Sequence, residues 1–172
     1  MASNTEHYIL PPPRFDEPPS VAIVIAPYYK DIGDWLLEGA RTALEAAGAK
    51  VEVIEVPGAL EIPSAIRQAH RSGDFDAYVA LGCVIRGATT HYDIVAGESS
   101  RALTDLGLVG LAIGNGILTV ENWEQAEERA NPAKMNKGGG AAEAALHVLK
   151  LAQRFSDNVK GVGFHTRLGG DS

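Results

Sequence analysis

The chain has 172 residues, and 15 Lys and Arg against 22 Asp and Glu leave a net charge of −7. That length fits one domain, able to bury about 70% of its unfolded surface. An acidic chain lacks the basic footprint of a nucleic-acid binder. A lone cysteine, Cys83, excludes an internal disulfide and makes a reducing, cytoplasmic compartment the expectation. Met1 to Leu10 lacks the basic start and apolar core of a signal peptide. No run approaches the ~18 apolar residues of a membrane span, so no membrane partner is expected.

Pro11, Pro12, Pro13, Pro18 and Pro19 crowd the start of the chain. Proline lacks the N–H that regular pairing needs, so residues 1–19 read as an extended, Pro-rich arm. Val21 to Ala26 is an apolar run of strand length. Ile32, Trp35, Leu36, Ala40, Ala43, Leu44 and Ala47 follow at helical spacing, and Gly48 closes that helix. Val51 to Val56 predicts a second strand, broken at Pro57-Gly58. Ile62, Ala65, Ile66 and Ala69 mark a helix ending near Gly73. Ala77 to Val84 predicts a third strand. A helix from about His91 to Leu106 turns Ile94, Val95, Ala102, Leu103 and Leu106 inward. Leu108 to Ile113 reads as the fourth strand. Glu121 to Ala130 reads as a helix stopped by Pro132, and Ala141 to Phe155 as the last helix. Residues 156–172 are rich in Gly and polar groups and read as a flexible tail, which leaves 20–155 as the folded domain.

Near-continuous apolar strands alternating with helices predict an α/β fold with a parallel sheet covered on both faces. Right-handed crossovers make it a three-layer α/β/α sandwich with a four-stranded sheet in the flavodoxin-like order 2-1-3-4. Ligands of such sheets bind outside the carboxyl ends of the strands. Pro27-Tyr28, Pro57 to Glu61, Val84 to His91 and Gly114-Asn115-Gly116 are therefore expected along one edge.

Arg86-Gly-Ala-Thr-Thr-His-Tyr-Asp93 is the densest of these segments. A small-residue turn entering a helix exposes backbone N–H groups, and the helix dipole adds to their pull on an anion. Thr89 and Thr90 add hydroxyls, and His91 follows in the first turn, an imidazole being able to exchange protons near neutral pH. The plainer alternative makes Thr90 a helix cap and His91 an exposed polar residue. Gly114-Asn115-Gly116 lacks the spacing of a dinucleotide loop and reads as a flexible turn. Arg129 and Lys137 flank a proline-containing turn and either hold a phosphate or are solvated charges. Cys83 in a core strand reads as an inert thiol. His7, His70, His147 and His165 show no metal-ligand spacing, so no metal is expected. Trp35 and Trp123 read as packing residues.

Pro57-Gly-Ala-Leu-Glu-Ile-Pro63, Gly82-Cys-Val-Ile-Arg-Gly-Ala-Thr-Thr-His-Tyr-Asp93, Leu118 to Asn122, Glu128-Arg-Ala130 and Asn136-Lys-Gly138 stand in an order and at a spacing that resemble the lumazine synthase family of riboflavin biosynthesis. The resemblance spans about residues 20–153. It implies a transferase that condenses 5-amino-6-(D-ribitylamino)uracil with 3,4-dihydroxy-2-butanone 4-phosphate, releasing phosphate and water, without any cofactor. It implies His91 as the proton-transfer residue. Ala88 and Thr89 match the donors to the phosphate, with Arg129 binding the same group and Lys137 beside it. Ala59, Leu60 and Glu61 match the segment that holds the ribityl-uracil. Cys83, Val84 and Ile85 match the strand end against the pyrimidine. Tyr28 matches the ring that stacks on the heterocycle. Asn115 matches a position contributed by a neighbouring subunit.

Three positions depart from the family's usual pattern. Tyr28 replaces Phe or Trp, and Leu60 and Asn115 each stand where Phe is frequent. Family members form a homopentamer with the active site between subunits, and some stack pentamers into a shell of about 60 subunits. A pentamer is expected here, with the shell left open. A non-catalytic flavin binder and a structural assembly component on the same scaffold are the competing readings.

Overall fold

The structure, a computed structural model, describes residues 8–160, with side chains for 8–156. β1 (Ser20–Ile25), β2 (Lys50–Glu55), β3 (Ala77–Ile85) and β4 (Ile113–Val120) form one parallel sheet in the order β2-β1-β3-β4. Among the described residues, five α-helices cover it: α1 (Lys30–Ala46), α2 (Ile62–Ser72), α3 (His91–Leu108), α4 (Trp123–Ala130) and α5 (Lys137–Lys160). Alternate residues of β1 divide between two cores. Val21, Ile23 and Ile25 pack with Ile32 and Leu36 of α1 and with Leu146 of α5. Ala22 and Val24 pack with Ile62 and Ile66 of α2 and with Leu103 of α3. A strand buried on both faces needs no polar alternation, which is why β1 is a continuous apolar run.

Helix ends follow the local chemistry. Gly48 and Gly73, both at positive φ, close α1 and α2, where any side chain would be strained. The Asn122 side chain accepts the Gln125 N–H at 2.9 Å and caps α4, so that helix starts at Trp123 rather than Glu121. On α3, Ile94 is 54% exposed and does not turn inward. Ser99 takes a buried place in the apolar stripe, its hydroxyl donating to the Val95 carbonyl at 2.7 Å.

The fourth strand is displaced from its expected position. Leu108 ends α3, Val109 and Gly110 turn the chain, and β4 runs over Ile113–Val120. Gly114-Asn115-Gly116 is therefore strand, paired with Val79, Ala80 and Leu81, and not a turn at the sheet edge. The glycines that resemble a turn serve a close approach instead. A Cβ on Gly114 would run into the Ala141 carbonyl of α5, and one on Gly116 would press on Leu81 and Ala141. α5 likewise begins at Lys137 and not Ala141, and takes its glycines into the first turn. Gly138 lies against the Leu36 carbonyl of α1, where a side chain would clash. At its other end α5 runs past the expected stop at Phe155. No Gly or Pro interrupts 156–160, and an established helix propagates easily. The rest of the expected tail, 161–172, and residues 1–7 of the arm lie outside the described residues. From Tyr8 to Pro18 the arm has neither helix nor strand. Phe15 packs against the core, with the Lys150 ammonium 5.4 Å from its ring centroid.

Candidate active site

Two prolines open the site. β1 pairs with β3 as far as Ile25 and Leu81, and the Ala26 N–H still reaches the Leu81 carbonyl at 2.9 Å. Pro27 then has no N–H to give. β2 ends in the same way, with the Val56 N–H on the Ile25 carbonyl and Pro57 next. β3 continues alone on that side through Cys83, Val84 and Ile85, still paired with β4. One flank of β3 is thus left bare at the β1/β3 boundary, the point at which the strand order reverses and ligands of such sheets bind.

A cavity of about 500 Å³ occupies this place. Its floor is Ala26, Cys83, Val84 and Ile85. Tyr28 and Tyr29, from the turn between β1 and α1, form one wall. Pro57 and Gly58 lead into a 3₁₀ turn, Ala59–Glu61, that forms the second. Gly87, Thr89, His91, Tyr92 and Val95 close it from α3 and the turn before it. Thr90 sits at the helix start without its side chain capping any N–H. The cap comes from Thr89, whose hydroxyl accepts the His91 N–H at 3.4 Å. An 18-residue helix therefore points its positive end at the cavity, beside His91.

Tyr28 is 74% exposed and meets Tyr29 edge-on, with centroids 5.0 Å apart. Tyr29 meets Trp123 of α4 in the same way at 6.0 Å, so Trp123 backs the cavity wall. Burial, with the nearby Cys83 and Tyr28, raises the Tyr29 hydroxyl above its ordinary value. Burial also pushes the Cys83 thiol up to about 12, which keeps it protonated at neutral pH. Arg86 lies beside Tyr92, its guanidinium carbon 4.0 Å from the ring centroid. The hydrogen bond to Glu121 raises Arg86, as does the charge of Asp93.

Nine of the residues expected at the site line this one cavity: Tyr28, Ala59, Leu60, Glu61, Cys83, Val84, Ile85, Thr89 and His91. Ala88 is exposed on the turn between two lining residues. Three others are not brought to it. Asn115 opens into a second cavity of about 350 Å³ with Tyr92, Ser99 and Thr119, and its side-chain oxygen accepts the Ile117 N–H at 3.0 Å. Arg129 donates from Nη1 to the Gln125 carbonyl at 3.1 Å, with Glu128 at 3.7 Å. Lys137 is exposed at the first turn of α5, after Asn136 at φ 48°. Tyr29, Pro57 and Tyr92 are lining residues that the sequence reading gave no role. Tyr29 directly follows Tyr28 at a strand end, and Tyr92 directly follows His91, so adjacency was the available signal. Among the described residues no group of three or more His, Cys, Asp or Glu side chains is placed to hold a metal ion. No helix among them is long and apolar enough to cross a membrane.

Residues 18–153 match the family model for 6,7-dimethyl-8-ribityllumazine synthase. Three proteins that carry this name are close relatives in sequence. One from Jannaschia sp. (strain CCS1) is 58% identical over 155 residues, covering 90% of this chain and 87% of the relative. One from Methylorubrum populi is 62% identical over 137 residues, covering 76% and 81%. One from Erythrobacter litoralis is 58% identical over 133 residues, covering 77% and 95%. With the matched span taking in every strand of the sheet and every wall of the cavity, the chain belongs to the 6,7-dimethyl-8-ribityllumazine synthase family.

Proposed function

We propose that the cavity at the β1/β3 boundary is where this chain makes 6,7-dimethyl-8-ribityllumazine. The chain is a transferase acting in the penultimate step of riboflavin biosynthesis. It condenses 5-amino-6-(D-ribitylamino)uracil with 3,4-dihydroxy-2-butanone 4-phosphate. The observation that carries the siting is the gathering of nine expected residues around one cavity, with His91 at a helix N-terminus. The amine of the uracil adds to the ketone, and loss of water gives an imine. The C–O bond to phosphate then breaks by β-elimination. The ribitylamino nitrogen closes the ring, and a second water leaves.

Each step requires a proton to move, and His91 is the group at the cavity suited to carry it. The departing phosphate is held by the N–H groups around Ala88, by the Thr89 hydroxyl and by Arg129, with Lys137 beside them. A hydroxyl has one donor and two acceptor sites, so Thr89 can cap His91 and still donate to phosphate. The pyrimidine lies between Tyr28 and the Cys83-Val84-Ile85 strand end. The ribityl chain follows Ala59, Leu60 and Glu61.

Asn115, Arg129 and Lys137 do not line the cavity of their own chain, which supports a site shared between subunits of a homopentamer. We assign the activity to a domain over 20–155, with the arm and tail outside it, in the cytoplasm. Mixing the full-length protein with both substrates and following lumazine fluorescence tests the reading. Product formation supports it, and a protein that binds flavins but forms no product overturns it in favour of a binder.

A further inference from the structure

Arg86 has no part in the roles above, yet its side chain joins three elements around the phosphate turn. Nη1 and Nη2 both donate to one carboxylate oxygen of Asp93, in the first turn of α3, at 3.2 Å. Nε pairs with Glu121, just past β4, at 3.0 Å. The guanidinium also covers the Tyr92 ring, and the Arg86 N–H donates to the Val120 carbonyl at 2.9 Å. All three charged side chains are more than a third exposed, so these pairs contribute little to stability.

Their effect is on the local field. Asp93 sits at the positive end of α3, where it competes with any anion for that end. With Glu121 it places two negative charges beside a turn proposed to receive a phosphate ester. One guanidinium engages both carboxylates and lies over a cavity-lining ring at the same time. A planar, forked cation can do this, and a lysine ammonium cannot. We infer that Arg86 is a positioning residue for the phosphate substrate, its one positive charge engaging both Asp93 and Glu121 and cutting their joint negative charge from two to one so that the turn over residues 87–91 admits a phosphate ester. This rests on the reading of that turn as the phosphate site.

The test uses full-length protein, inorganic phosphate as competitor, and KM for each substrate at low salt and at about 0.5 M salt. In the wild type, phosphate competes with the butanone phosphate. Arg86→Gln is expected to raise the phosphate inhibition constant and the KM for the butanone phosphate by roughly three- to tenfold. KM for the uracil stays within about twofold, and the gap narrows at high salt. Arg86→Gln combined with Asp93→Asn and Glu121→Gln removes all three charges and is expected to recover most of the phosphate affinity. It also remains measurable if the single variant fails to fold. If phosphate competes with the wild type but equally with Arg86→Gln, the inference falls and the phosphate turn stands. A triple variant with weakened phosphate binding would reduce Arg86 to a packing brace and overturn the inference. If phosphate does not compete even with the wild type, the reading of the turn falls and the inference with it.

Discussion

The Thr89 hydroxyl accepts the backbone N–H of His91 at 3.4 Å, across the entry to α3. This contact ties the residue matched to phosphate binding to the residue matched to proton transfer. It ties down the backbone at His91, which lines the cavity, while the Thr90 side chain caps no N–H. General acid–base catalysis contributes ~10²–10⁴-fold to a rate, and positioning an amine beside a ketone supplies much of the remainder. His91→Ala is therefore expected to slow turnover by about 10²-fold without abolishing it. Steady-state rates across pH check this, and an unchanged rate at every pH removes His91 from the chemistry.

Arg129 and His91 belong to different cavities if the site is shared between subunits. Arg129→Ala should raise KM for the butanone phosphate by about 10–150-fold, the range for a lost charge-assisted hydrogen bond. KM for the uracil should change far less. Mixed after joint refolding, Arg129→Ala and His91→Ala chains should regain activity, because roughly a quarter of the sites then combine two intact halves. Native mass measurement should find five subunits or a multiple. A fully active monomer, or mixtures no better than the parent variants, would leave each chain with its own complete site.

Cys83 lies on the cavity floor with its thiol held to about 12, so it carries roughly a thousandfold less thiolate at neutral pH than an ordinary cysteine. A thiol reagent at pH 8 should modify it far more slowly than a small free thiol. The raised value makes folding disfavour the thiolate. Its contribution to stability is full below about pH 9 and is lost as pH rises toward 12. Cys83→Ser should raise KM for the uracil several-fold through changed packing and leave kcat nearly intact. Rapid labelling at pH 8, or loss of kcat, would make Cys83 a reactive residue.

Tyr28 is the one ring among Tyr28, Leu60 and Asn115, the three positions that the resemblance marks as usually aromatic. Aromatic pairs contribute about 0.5–1.5 kcal/mol beyond area burial, up to roughly tenfold in affinity per contact. Tyr28→Ala should damage uracil binding severely, and Tyr28→Phe should be mild. Asn115→Phe should tighten riboflavin binding, although it gives up the hydrogen bond to the Ile117 N–H. Fluorescence or calorimetric titration measures all three. Unchanged riboflavin affinity in Asn115→Phe, with Tyr28→Ala tolerated, would move the pyrimidine slot elsewhere.

Most of the architecture was legible in the residues themselves. The apolar runs at β1 and β3 mark strands buried on both faces. Gly48, Gly73, Pro27 and Pro57 mark stops whose backbone chemistry is local. The turn before α3 stands out as a candidate anion site because small residues before a helix expose N–H groups wherever they occur. The glycines at 114, 116 and 138 misled for a physical reason. Alone, a glycine reads as freedom. Packed against Ala141 and Leu36, it is the space that lets a helix touch a strand or another helix, and only tertiary contact distinguishes the two. Shared edges are also a tertiary matter. Tyr29 and Tyr92 join the cavity because β1 stops short of β3 and α3 folds back over the gap. Pro57 was expected on the shared edge, but that it and the two tyrosines close one cavity depends on how three crossovers fold onto one sheet. Asn115 sits on a paired strand facing a different cavity because its register with Ala80 puts it there, and register is set by the partner strand.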